Sequence, residues 1–208
     1  MTIESNNRES FRKPEKLLEF AGLERHHRML DVCTGFGYLA RHAAMITDQP
    51  VDAQNASEWR AWFDAVGVSD IVKDMEDKLR VRHYYSSMED PALSQRGVYD
   101  LITMQNGFHD LYYNMNVDRR SFFRSIRRAL KPGGKFLLVD HLAGPGRGLK
   151  DAVEEWVVRR ELEANGFIVT KTSDMLQNPD DPYTTASWTE SLRETDRFVF
   201  LCEEAIRC

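Results

Sequence analysis

The stretch Arg28-Met-Leu-Asp-Val-Cys-Thr-Gly-Phe-Gly-Tyr-Leu-Ala40 decides the fold. An apolar run (Met29, Leu30, Val32) carries an acid, Asp31, meets a glycine turn, and gives way at Tyr38 to an apolar helical pattern. The segment therefore reads as strand, tight loop and helix start, which is how an open α/β sheet holds a nucleotide. Gly35 and Gly37 lack a Cβ, so the loop can take positive φ and bring its backbone close to a ligand. Ala40, in the third small position, lets the helix pack on the strand. Asp31 redirects the reading, because a carboxylate at a strand end suits a cationic or polar group better than the pyrophosphate that a helix N-terminus attracts. A glycine-rich turn in some other βαβ unit is the plainer alternative on this stretch alone.

Outward from that loop, 208 residues with 42% hydrophobic content suffice for one α/β domain with a large core and are too few for two full-sized ones. The formal net charge is −5 and the basic residues are mixed with acids, so nucleic acid is not an expected partner. Apolar runs such as Phe136–Val139 are far shorter than the roughly 20 residues that cross a bilayer, and Met1–Pro14 is polar with no apolar signal core. No membrane association and a cytoplasmic location are the expectation. The three cysteines, Cys33, Cys202 and Cys208, have the spacing of neither a disulfide framework nor a metal motif, and no metal is expected.

In chain order, residues 1–12 read as a flexible arm or lid, and 13–208 as the domain. Pro14 at a first turn, with Leu17, Leu18 and Phe20 on one side and Gly22 at the end, predicts a short helix into strand one. Tyr38–Ile46 is the first crossover helix. Val51-Asp-Ala-Gln-Asn55 ends a second strand, at whose tip a nucleotide site commonly places an acid on the ribose hydroxyls. Asn55 stands there instead, able to donate and accept at the ribose but without a carboxylate's strength; an Asx turn is the equal alternative. Glu58 offers a substitute acid, or simply a first-turn acid favoured by the helix dipole. Trp59, Trp62, Phe63 and Val66 recur at helical spacing as a core face, and Ile71–Leu79 is a charged helix. Arg80–Asp90 is strand three and a loop in which Ser87 and Met88 would meet an adenine edge and face.

Val98–Gln105 predicts strand four, and the loop after it, Asn106-Gly-Phe-His-Asp-Leu-Tyr-Tyr113, lies where such sheets place their chemistry. Asp118–Leu130 is a helix with Phe122, Phe123, Ile126 and Leu130 inward and arginines on a solvated face. Leu130-Lys-Pro-Gly-Gly134 turns the chain into strand five, Lys135–His141. A flexible Gly144–Gly148 loop, a helix over Leu149–Asn165, strand six at Phe167–Thr172, a turn cluster at Asn178–Pro182 and a last strand at Arg197–Cys202 complete the series. Alternating strands and helices argue a doubly wound, mostly parallel sheet.

The pattern Asp31-x-x-Thr34-Gly35-x-Gly37, then Tyr99-Asp-Leu-Ile, then Arg128-Ala-Leu-Lys-Pro-Gly-Gly-Lys-Phe-Leu-Leu-Val-Asp140, resembles the ordered motifs of class I S-adenosylmethionine (SAM) methyltransferases. More narrowly the chain is similar to a bacterial group of small methyltransferases through Arg12-Lys-Pro, Ala53-Gln-Asn, Phe108-His-Asp-Leu-Tyr, Val139-Asp-His, Asn178-Pro-Asp-Asp and Thr195-Asp-Arg-Phe-Val. The resemblance implies a Rossmann-like sheet of seven strands with the last antiparallel, and SAM across the carboxyl ends of the first strands. The cofactor residues it implies are Asp31, Thr34, Gly35, Gly37, Asn55, Ser87, Met88 and Asn106.

Methyl transfer needs an aligned nucleophile and, where required, a base for its proton. His109 or His141 is the candidate base, oriented by Asp110 or Asp140; caps on loop amides are the alternative use of these pairs. Tyr112, Tyr113, Phe108 and Trp156 are candidates to line the pocket and face a sulfonium with their rings, Tyr112 being grouped with the catalytic set. The expected activity is methyl transfer from SAM to an oxygen or nitrogen of a small molecule, with a homodimer left open. Intramolecular cyclisation of SAM with release of methylthioadenosine, and a non-catalytic SAM-binding module, are the two alternatives.

Overall fold

The computed structural model describes residues 11–113, 115–144, 152–183 and 195–205. Most of the expected N-terminal arm, the Gly144–Gly148 loop beyond its first residue, the start of the helix expected from Leu149, and Cys208 lie outside the described residues.

Helix α1 (Pro14–Ala21) starts on proline and ends at Gly22, which closes it at φ 74°. It leads to β1 (Met29–Val32), α2 (Tyr38–Ile46) and β2 (Val51–Ala56). A single turn at Ser57–Trp59, then α3 (Arg60–Ala65) and α4 (Val68–Lys78), precede β3 (Val81–Ser86) and β4 (Tyr99–Gln105). Next come α5 (Phe108–Tyr113), α6 (Arg119–Ala129), β5 (Leu130–His141), α7 (Glu155–Ala164), β6 (Phe167–Ser173) and β7 (Arg197–Glu204).

The seven strands lie in the order β3-β2-β1-β4-β5-β7-β6, with β1 to β5 parallel and β7 antiparallel to both its neighbours. This is the fold class that the resemblance implied. Strand order reverses between β1 and β4, and the crevice above such a switch is where open α/β sheets bind ligands. Alternate strand residues feed two cores. Leu30, Val32, Ile102, Met104, Phe136 and Leu138 pack with α6 residues Phe122, Phe123 and Ile126. Met29, Leu101, Leu137 and Val139 pack with Leu17 and Leu18 of α1 and with Leu39 and Ala43 of α2.

Three elements depart from the sequence expectation. The aromatic stretch after β2 is not one core face, because only Phe63 is buried while Trp62 is 56% and Val66 43% exposed. The helix expected over Leu149–Asn165 begins at Glu155, since Val153 instead bridges to Leu142 beside the end of β5. Strand β5 begins at Leu130, earlier than Lys135: Leu130 pairs with Tyr99 and Lys135 with Leu101, so the Pro-Gly-Gly turn is a bulge inside the strand. The α6 arginines are partly engaged, Arg127 with Glu204 and Arg128 with Asp90. Among the described residues no helix is long and apolar enough to cross a membrane.

Candidate functional site

The glycine loop is held from both sides by its own sheet. Asp31, at the end of β1, accepts from the Thr34 hydroxyl and, through its other oxygen, from the Thr103 hydroxyl of β4, both at 2.6 Å. Burial pushes its carboxyl up to about 6, against the pull of those two hydroxyls. From β2, Gln54 Oε1 accepts from the Cys33 N–H at 3.1 Å. Asn55 Oδ1 accepts from the Gly35 N–H at 2.9 Å, and its Nδ2 donates to the Gly35 carbonyl at 2.8 Å. The loop itself needs left-handed backbone at Gly35 (φ 58°) and Gly37 (φ 71°). A Cβ on Gly37 would also lie 2.2 Å from Met75 Cε.

Asn55 and Asp31 thus brace the loop, and neither is presented to solvent. The backbone of Gly35 fixes the orientation of the Asn55 amide, whose Nδ2 also lies 3.1 Å from His83 Nε2. With Nδ2 a donor, that imidazole nitrogen must be the acceptor, so His83 is neutral with its proton on Nδ1. Burial, aided by Arg60 and opposed by Glu76, holds the His83 pKa below its ordinary value. The amide hydrogens expected for a ribose are therefore occupied within the protein. Glu58 is engaged too, accepting from the Ser87 hydroxyl at 3.2 Å and the Met88 N–H at 3.3 Å. Met88 itself is fully buried in the core, its sulfur 3.6 Å from Cys33 Sγ, so its side chain presents no face to an adenine.

Between this loop and the turn after β4 lies a cavity of about 190 Å³. Its walls include Gly35, Phe36, Trp59, Trp62, Asn106 and Asp110. Asn106 takes φ 51°, and its buried Oδ1 has no hydrogen-bond partner. Gly107, also in the wall, leaves little room for a side chain, since a Cβ would come 3.0 Å from Cys33 Cβ and push on it. Phe36, Trp59 and Trp62 were not assigned to this site from sequence. The available signal was two tryptophans at a strand exit facing a glycine loop.

Beyond Asn106, α5 carries the imidazole. His109 donates its backbone N–H to Asp140 Oδ2 at 2.8 Å, and its Nδ1 lies 2.7 Å from Asp140 Oδ1. Its Nε2 is 3.6 Å from Asp110 Oδ1. Burial opposes ionisation of Asp140, but the charge and hydrogen bonds of His109 outweigh it and hold this carboxyl below its ordinary value. The His141 ring meets that of His109 edge-on at 5.9 Å, but its Nδ1 is 3.0 Å from the Thr195 hydroxyl and burial presses its pKa down to about 3. Tyr112 also leaves the set: Arg119 lies 4.2 Å from its ring centre, and burial with Glu161 lifts the phenol to about 12. Phe108 is core, and Trp156 is 56% exposed on α7 beside Arg160, so neither lines the cavity.

A glycine loop at β1, a cavity at the strand-order switch and a buried His–Asp pair at the ends of β4 and β5 coincide with a family match. The methyltransferase-domain model matches residues 6–191. The chain belongs to that family. No curated protein matches it by sequence. Solved methyltransferases share its fold, among them a SAM-dependent methyltransferase from Aquifex aeolicus, at TM-score 0.69 and 20% identity over 94% of this chain and 91% of that one. Geranyl diphosphate C-methyltransferase from Streptomyces coelicolor follows at TM-score 0.66 and 17% identity, over 94% and 78%. The cyclase SpnF shares the fold at TM-score 0.66 and 18% identity, over 94% and 81%. The protein is a class I methyltransferase in fold and family.

Proposed function

We propose that this methyltransferase takes its methyl group from SAM and passes it to an oxygen or nitrogen of a small molecule, with His109 as the base. The observation that carries the reading is the cavity between the glycine loop and the Asn106–Asp110 turn, at the switch in strand order. Its residues suit SAM: aromatic walls accept a nucleoside and a sulfonium, and the unpartnered Asn106 Oδ1 offers an acceptor to a ligand donor. Gly35 and Gly107 keep the floor free of side chains. Asp31, Thr34 and Asn55 act by holding the loop, one step removed from the ligand.

Bound SAM supplies an electrophilic methyl on a sulfonium. The chain's task is to aim the acceptor and remove its proton. Asp140 accepts from Nδ1 of His109, which leaves the Nε2 lone pair on the side of Asp110, a residue of the cavity wall. The acceptor's proton passes to Nε2, and the imidazolium then lies between the carboxylates of Asp140 and Asp110, which stabilise it. The size of the cavity and the net charge of −5 favour a small molecule over a nucleic acid.

Calorimetric titration of SAM tests the site. Gly35→Val is expected to abolish binding, while His109→Ala retains it and loses turnover; unchanged SAM affinity in Gly35→Val sinks the assignment. Methylthioadenosine formed from SAM with no acceptor present would identify cyclisation instead. Binding without product from a broad acceptor mixture would identify a non-catalytic module.

A further inference from the structure

Arg197 opens β7 and pairs in register with His141, which places it at the same end of the sheet as the His109–Asp140 pair. The residue is only 4% exposed. Nη2 donates to the Phe11 carbonyl at 2.9 Å and Cζ lies 5.7 Å from the Phe11 ring centre, yet Nε is buried with no acceptor. Among the described residues no carboxylate forms an ion pair with it. The two acids whose charge acts on it are hydrogen-bonded to other groups. Asp196 accepts from the Asn178 N–H and the Tyr183 hydroxyl, and Asp140 from His109 and the His141 N–H.

A second guanidinium adds to the charge. Arg12 follows Phe11 and lies 5.2 Å from the ring centre of Tyr38, the first residue of α2 after the glycine loop. Burial and the Arg12 charge push Arg197 down to about 10, and the same two cations help keep His141 neutral. Burying a guanidinium without a counter-ion is costly, and its fork geometry matches a carboxylate in two places at once.

We propose that Arg197, assisted by Arg12, forms a subsite for a carboxylate at the catalytic end of the sheet. The carboxylate comes either from the methyl acceptor or from the amino-acid end of SAM. The inference rests on the methyltransferase reading and gives its substrate side a charge. No bond is made or broken in the subsite; its role is to anchor and orient.

The test titrates full-length wild type, Arg197→Lys and Arg197→Met with malonate, adenosylhomocysteine and methylthioadenosine at constant ionic strength. Wild type is expected to bind malonate saturably, Arg197→Met to lose at least about tenfold, and Arg197→Lys to fall between, because an ammonium keeps the charge without the fork. If adenosylhomocysteine affinity is unchanged in Arg197→Met, the carboxylate belongs to the acceptor. If it falls about tenfold while methylthioadenosine, which lacks the amino-acid group, is unaffected, the carboxylate is the cofactor's. No saturable malonate binding to wild type together with unaltered adenosylhomocysteine affinity in the variants overturns the subsite and leaves Arg197 as a clasp on Phe11. Wild type that binds none of the nucleosides overturns the methyltransferase reading separately, whatever malonate does.

Discussion

The two ends of the sheet treat their carboxylates in opposite ways. At the amino end, Asp52 accepts from Arg28, from Nε and Nη2 of Arg82 and from the Tyr99 hydroxyl, while Asp100 accepts from Lys131 and the Arg28 N–H. At the carboxyl end, Asp31 meets two hydroxyls and Asp140 an imidazole and two backbone amides. Permanent cations neutralise the first pair, whereas the second keeps its charge in play for whatever binds. Arg197, a permanent cation buried at that end, forms no ion pair with an acid among the described residues. Charges matched internally serve stability, and charges left unmatched in a crevice serve a ligand.

The sharpest way to break this contrast is Asp140→Asn. The amide preserves shape but cannot hold His109 in the same tautomer, so turnover is expected to fall by about 10³-fold, some 4 kcal/mol, with adenosylhomocysteine affinity within about threefold of wild type. Equal losses of turnover and of cofactor affinity would place Asp140 with the structural carboxylates of the opposite end.

Next in size is the pH dependence of Asp31. Its folded pKa of about 6 exceeds the usual carboxylate value, so its contribution to stability is full below about pH 4 and is lost as pH rises through 6. Urea unfolding of wild type and Asp31→Asn across this range should diverge by about 3 kcal/mol, the wild type losing ground at higher pH. Parallel curves would mean that the two hydroxyls fully compensate burial.

A smaller effect is expected at His83. Protonation would point an N–H at the Asn55 amide and loosen its grip on Gly35, so SAM affinity should decline several-fold once acid protonates this imidazole, whose burial holds its pKa below the ordinary histidine value. In His83→Gln the side-chain carbonyl accepts at all pH values. The difference between the two profiles isolates this step from the titration of Asp31; identical profiles would remove His83 from the site. Smallest of all is Arg25→Ala at the amino end. The Arg25–Asp48 pair is largely exposed, so stability should change by less than about 0.5 kcal/mol and methyl transfer not at all.

Local pattern carried much of the architecture. The glycine loop, the first crossover helix and the alternating strands were legible because the periods of strand and helix and the demands of positive φ act over a few residues. The contacts across the sheet were not. Asn55 looked like a ribose ligand because its partner His83 is 28 residues away on β3, visible only once β2 and β3 pair. Asp110, the neighbour in sequence, seemed as good an orienter of His109 as Asp140, but β5 brings the latter within hydrogen-bond distance. Met88 reads as a loop residue in sequence, yet it packs beneath the loop against Cys33. Trp59 and Trp62 matched a core face by spacing because periodicity distinguishes one side of a helix from the other without saying which side is covered.

Strand β7 reaches its place between β5 and β6 from the opposite direction to its neighbours, and so delivers its first residue, Arg197, to the rim beside His141. During synthesis, β1 to β5 can emerge with the loop and the His109–Asp140 pair encoded, while the gap beside β5 stays open. The ribosome must release β7 before that edge can close, so a chain stopped short of Arg197 carries the glycine loop and the His109–Asp140 pair but leaves the edge of β5 unpaired and the guanidinium missing from the rim.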